Sequence, residues 1–186
     1  ALDCAMNFLS THDTERGITA IAGEPANGRD RYWQSKRMIP GDRIDDALRR
    51  VLLAYAMLYT LPGVPCVYYG DEIGMRYLPL PTKEGGYFRT GSRTPMQWDN
   101  SANKGFSTAA ADKLYLPVDD AADAPTVAAQ QADPDSLWHT VQGVLNFRHS
   151  HRDLDSDAPF HVRFAPKAKG SYRPFAWERG KLICAV

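Results

Sequence analysis

The 186-residue sequence has only three cysteines, no net charge, no bilayer-length apolar run and no internal repeat. Each absence closes off a class of protein. Cys4, Cys66 and Cys184 are odd in number and far apart, and none shares a Cys-x-x-Cys or Cys/His spacing, so neither a disulfide framework nor a zinc centre is expected. They read as free thiols in a reducing compartment, which predicts a cytoplasmic protein, and Cys4 and Cys66, set in apolar runs, read as small buried hydrophobes. Lys+Arg and Asp+Glu both number 22, so no excess charge recruits nucleic acid or an anionic membrane. A neutral polyol such as a sugar suits that balance. The most apolar stretch, Val51 to Tyr59, falls well short of the roughly 20 residues a membrane span needs. No basic-then-apolar leader opens the chain. It begins inside a strand-like run, and Ala1 is therefore not expected to be the natural start.

What is present is a β/α pattern. Residues 2–9 read as a short buried strand that ends abruptly in Ser10-Thr11-His12-Asp13-Thr14-Glu15-Arg16. Strand ends that open into polar clusters are where β/α enzymes keep their chemistry. A polar connection follows from Gly17 to Gly41, broken by Gly23, Pro25, Gly28 and Pro40. Inside it lies Arg29-Asp30-Arg31-Tyr32-Trp33-Gln34-Ser35-Lys36-Arg37, either a solvated loop or short helix, or a loop over a site mouth with Tyr32 or Trp33 stacking on a ligand. Asp42 then caps a helix of roughly 18 residues, because Ile44, Ala47, Leu48, Val51, Tyr55, Leu58 and Tyr59 recur at helical spacing. Leu61-Pro62-Gly63 ends it. Pro65 to Gly70 reads as a second buried strand, closed by the polar pair Asp71-Glu72. Strand, cluster, helix, strand, cluster implies parallel strands with both clusters at the same end.

Residues 73–132 lack long periodicity, and a structureless stretch of about 60 residues is usually functional or disordered. This one carries Tyr77, Tyr87, Phe88, Trp98, Phe106 and Tyr115, so an ordered, elaborated loop is expected. Asp133-Pro134 restarts regular structure, with Asp133 as N-cap and Pro134 at the first helical position. Leu137, Val141, Val144, Leu145 and Arg148 share one stripe of the helix that follows. Past Asp157 the period becomes two: Phe160 to Phe164 alternates, and two further strands flank Glu178-Arg179-Gly180. An antiparallel β unit opens there.

Three stretches carry a family resemblance. Phe8-Leu9-Ser10-Thr11-His12-Asp13 resembles the fourth conserved region of glycoside hydrolase family 13, the α-amylase family, in which a His-Asp pair ends the seventh barrel strand. Gly63-Val64-Pro65-Cys66-Val67-Tyr68-Tyr69-Gly70-Asp71-Glu72-Ile73-Gly74-Met75 resembles its eighth strand. Arg93-Thr94-Pro95-Met96-Gln97-Trp98-Asp99 resembles a motif of its α-glucosidase-like and trehalose synthase branch. Leu116-Pro117-Val118, Ala129-Gln130, Asp133-Pro134-Asp135-Ser136-Leu137 and Phe147-Arg148 continue the likeness. Thr11 departs from the family's common Asn before His-Asp, and the basic insertion after Arg16 is not typical, which suggests a subgroup-specific lid.

The resemblance implies an α/β fold: residues 1–152 as the C-terminal portion of a (β/α)8 barrel, with strands 7–8 and their helices, and residues 153–186 as the start of a C-terminal antiparallel β domain. It also implies retaining chemistry on α-glucosidic bonds of short oligosaccharides, which needs a nucleophile and an acid/base about 5 Å apart. The family carries those on its fourth and fifth strands, which this chain does not include. Asp13 is then the transition-state-stabilising carboxylate, with His12 beside it, and the isolated chain is expected to be inactive. By itself the cluster would fit equally a helix N-cap or an Arg16–Asp13 ion pair. Arg16 is expected to orient Asp13 or to reach the neighbouring sugar. Arg93 is expected to bind substrate and close the non-reducing end. Asp71 and Glu72 cannot both address one sugar from a strand, so a supporting role is expected. Trp98 is either core or sugar platform. The implied partner is an α-linked oligosaccharide, with no redox cofactor and no metal held by this chain; the family's calcium site is built from earlier regions. A transferase or isomerase of trehalose synthase type, and a catalytically inactive binding relative, are the alternatives. Uncovered barrel faces should make the isolated chain associate.

Overall fold

The computed structural model describes residues 3–22, 44–80, 90–165 and 174–186. The basic stretch from Arg29 to Arg37, with residues 23–41 of the suggested lid, and the Asp42 cap lie outside the described residues. Two short strands, β1 (Met6–Phe8) and β2 (Val64–Cys66), pair in parallel, with Met6 opposite Val64 and Phe8 opposite Cys66. A parallel pair needs a crossover, and helices α1 (Gly17–Ala22) and α2 (Ile44–Thr60) belong to it. α1 begins inside the stretch expected to be a polar connection.

The predicted stripe of α2 is buried at Ala47, Val51, Tyr55, Leu58 and Tyr59. It meets Ile18 of α1 and Leu137 and Val141 of α4 (Leu137–Ser150), forming the core. Fully burying side chains of this size contributes about 1.5–3 kcal/mol each. The end of α2 is held by two buried arginines. Arg148 donates to the carbonyls of Tyr59 at 2.6 Å and Gly63 at 2.8 Å. Arg179 donates to the carbonyl of Thr60 at 2.8 Å. Cations suit the negative pole of a helix, although burial pulls both guanidinium pKa values below their ordinary level.

Three sequence expectations change. The strands are shorter than 2–9 and 65–70, and they are not buried: Met6 is 65% and Val64 48% exposed, since no described element covers that face. Cys4 is exposed as well. The cap of α4 is Ser136, whose Oγ accepts from the His139 amide, rather than Asp133 with Pro134 at the first helical position. The stretch expected to be one long loop contains short 3₁₀ turns and α3 (Val127–Ala132), capped by Thr126. The tail does form an antiparallel sheet in the order β3 (Phe160–Phe164), β4 (Ala176–Arg179), β5 (Leu182–Ala185). Glu178 and Arg179 sit in strand β4, and the turn is carried by Gly180 at φ 53°.

Candidate functional site

The loop leaving β1 is a tight polar turn built by threonines. Thr11 Oγ1 accepts from the Asp13 amide at 3.1 Å, and Thr14 Oγ1 accepts from the Thr11 amide at 2.8 Å. A threonine at position 11 therefore organises the turn through its own hydroxyl. The turn pushes His12 and Asp13 outward, with the Asp13 side chain 50% exposed. His12 Nε2 lies 3.4 Å from Asp13 Oδ2.

A second loop clamps the first. The buried 3₁₀ turn Thr90–Ser92 lies where Gly91 meets the Leu78 carbonyl so closely that a Cβ would stand 1.8 Å from its oxygen. From that turn Ser92 Oγ donates to the Thr14 carbonyl. Arg93 follows. Its Nε donates to the His12 carbonyl at 2.9 Å and its Nη2 to Asp13 Oδ1 at 2.9 Å. The guanidinium thus fixes both backbone and carboxylate of the His-Asp pair.

Arg16 is elsewhere. It is fully buried beneath the turn, packed against the adjoining rings of Tyr68 and Tyr69 at 4.7 and 4.6 Å. It donates to the Tyr69 carbonyl and faces Asp71 Oδ1 at 3.5 Å. Neither orienting Asp13 directly nor reaching a neighbouring sugar fits that placement, because the guanidinium is fully buried and faces Asp71. The partner of Asp13 is Arg93. Asp71 also accepts from Ser10 Oγ and from the Gly17 amide. Burial raises the Asp71 carboxyl above its ordinary value, and these donors oppose the rise. Ser10, Arg16 and Asp71 join the ends of β1 and β2. Parallel strands ending at one level bring those positions together, a signal in the sequence that pointed to Asp71 rather than Asp13.

Asp71 and Glu72 do turn apart, but from a 3₁₀ turn rather than a strand. Glu72 borders a cavity of about 450 Å³ on the other side of Arg93, with Tyr69, Met96, Trp98, Phe106 and Tyr115 on its walls. Burial raises the Glu72 carboxyl too. Trp98 is 50% exposed, so it is not core among the described residues. No three His, Cys, Asp or Glu side chains among the described residues come together to hold a metal ion. No described helix is long and apolar enough to cross a membrane.

Residues 3–157 match the model of the alpha amylase catalytic domain. A trehalose synthase of Thermus thermophilus is 38% identical over 128 residues, covering 64% of this chain and 12% of its own length. An alpha-glucosidase of Pediococcus pentosaceus is 29% identical over 195 residues, covering 89% and 31%. The human amino acid transporter heavy chain SLC3A1 is 40% identical over 151 residues, covering 74% and 21%. The fold is similar to part of solved trehalulose synthase MutB. An inactive double mutant of MutB in complex with isomaltulose aligns with a TM-score of 0.67 at 21% identity, over 95% of this chain and 32% of that one. The chain spans less than a third of the length of these relatives.

Proposed function

Starting from the fact that the chain belongs to the alpha-amylase catalytic-domain family, glycoside hydrolase family 13, we propose that it is the C-terminal portion of a (β/α)8 barrel. In this reading β1 and β2 are the seventh and eighth barrel strands. Residues 1–152 finish the barrel and residues 153–186 open a C-terminal β domain. The whole protein acts on α-glucosidic bonds of short oligosaccharides with retention, and needs no redox cofactor.

Asp13 is the transition-state carboxylate. As the reacting sugar flattens toward an oxocarbenium ion, its 2- and 3-hydroxyls become better donors, and Asp13 and His12 hold them more tightly than in the ground state. Only such differential binding lowers the barrier. Charge-assisted hydrogen bonds in a water-poor site are worth about 2–4 kcal/mol in this role. Arg93 orients the Asp13 carboxylate and lines the substrate pocket. Arg16 supports the same turn from below. The nucleophile and acid/base lie outside this chain.

The observation that carries the reading is the Asp13–Arg93 clamp, in which two of the three family-like stretches meet in space at 2.9 Å. Two other readings stay in play because relatives of similar identity bear the names trehalose synthase and amino acid transporter heavy chain. Incubating the purified whole protein with maltose and separating the products distinguishes them. Glucose alone supports hydrolysis. Trehalose shows transfer or isomerisation within the same family chemistry. Unchanged maltose favours a binding protein and contradicts the enzymatic reading.

A further inference from the structure

Arg93 reaches Asp13 through a long side chain, and such a chain fixes a carboxylate only when its own backbone is held. Its amide donates to the Thr90 carbonyl at 3.1 Å, across the 3₁₀ turn. The residues on either side of Arg93 each offer a carbonyl, and each carbonyl meets a tyrosine. Tyr68 Oη donates to the Ser92 carbonyl at 3.2 Å. Tyr69 Oη donates to the Thr94 carbonyl at 2.8 Å. Two consecutive tyrosines thus grip the backbone immediately before and after the guanidinium that holds Asp13.

Adjacent residues of a strand point to opposite faces, which would send one of these rings away. β2 ends at Cys66, however, and beyond it the two rings lie side by side with centroids 4.7 Å apart. The Arg16 guanidinium packs against both, and Arg16 itself faces Asp71 at 3.5 Å. Burial raises the pKa of the Tyr68 hydroxyl, so it stays protonated and able to donate at neutral pH. Ser92 completes the grip. Its carbonyl is tied to Tyr68 after β2, and its hydroxyl to the Thr14 carbonyl in the turn after β1. Arg93 therefore starts from a point referenced to both strand ends.

We propose that Tyr68 and Tyr69 are positioning residues, which set the Arg93 guanidinium and through it the orientation of Asp13 toward the transition state. This rests on the reading of Asp13 as the transition-state carboxylate. A group that binds the transition state better than the ground state must be placed closely, and a displacement of about 1 Å can cost a hundredfold in rate. Tyr68 does not line the cavity beside Arg93, whereas Tyr69 does. An effect of the Tyr68 hydroxyl on turnover therefore has to pass through the backbone at Ser92.

The test is a double-mutant cycle in the whole protein, reading kcat and KM for maltose consumption. Tyr68→Phe removes one hydroxyl and keeps the ring, and should lower kcat about five- to tenfold, the scale of one lost hydrogen bond. KM should move by less than about twofold, because the loss falls on the transition state. Introduced into Arg93→Ala, the same Tyr68→Phe change should cost less than about twofold, since the side chain it positions is gone. Ser92→Ala cuts the grip at a different bond and should show the same dependence on Arg93, which keeps the test decisive if Tyr68→Phe misfolds. An undiminished loss in the Arg93→Ala background would make the tyrosine merely structural and overturn the proposal. So would an unchanged kcat, or a loss carried by KM alone. Maltose left intact by the unmodified protein would instead sink the enzymatic reading and the proposal with it, a result distinct from turnover without coupling.

Discussion

Asp13 and His12 were legible as candidate site residues because an apolar run stops at Leu9 and a polar cluster begins at Ser10. Their partner was not, since Arg93 is 80 residues away and nothing local marks the pairing. Arg16 shows the opposite error. Nearness in sequence pointed it at Asp13, whereas its burial requires a charge partner inside, and the facing strand end provides Asp71. Removing that guanidinium leaves Asp71 buried and uncompensated, so Arg16→Ala should destabilise the protein by about 3–5 kcal/mol in urea unfolding. Arg16→Lys should rescue only in part, because an ammonium lacks the planar face that the guanidinium lays against the Tyr68 and Tyr69 rings. A loss below the usual surface range would show that the buried pair is not structural. Glu72 gives a pH signature. Its native pKa is raised above the ordinary 4.5, so the native state binds the proton more tightly than the unfolded chain does. That contribution is fully present below the ordinary value and is lost as pH rises through the native one. Glu72→Gln should therefore raise the melting temperature more at about pH 7 than at about pH 4. A difference that does not change with pH would contradict the assigned shift.

At the scale of elements, long periodic segments were legible and ends were not. The α2 stripe gave the helix and its buried face, because seventeen residues of regular spacing leave little ambiguity. α3 was missed because its six residues are too few to show a period. At the start of α4, sequence preference favours Asp133 followed by Pro134, three residues before the cap that forms at Ser136. In the structure Ser136 Oγ accepts from His139 and also donates to the Gln130 carbonyl at 2.6 Å, tying α4 to α3. Asp133 instead accepts from the Asp135 amide within a turn. Ser136→Ala should cost about 1–2 kcal/mol in thermal or urea unfolding, and Asp133→Ala distinctly less. The reverse order would restore Asp133 as the cap. The strands fell short for a different reason: parallel strands gain length from neighbours on both sides, and each of these has one described partner.

For the whole molecule, the parallel pair and the antiparallel tail follow the order read from the sequence, and residues 3–157 carry the family match. The open face of Met6, Phe8 and Val64 was not foreseen strand by strand, because residue patterns say which side chains are apolar and not what covers them. An exposed patch of that kind should drive association. Light scattering on the isolated chain should show species larger than a monomer that dissociate when Met6 and Val64 are replaced by Thr; a monodisperse monomer would contradict this. The central claim concerns Asp13 in the complete protein, where the bond-breaking carboxylates are present. The most direct measurement is kcat for Asp13→Asn on maltose, with the melting temperature recorded alongside. A fall of about 10²–10³-fold with an unchanged melting temperature is the predicted result. Near-normal turnover, or a loss that tracks unfolding, would show that Asp13 does not hold the transition state.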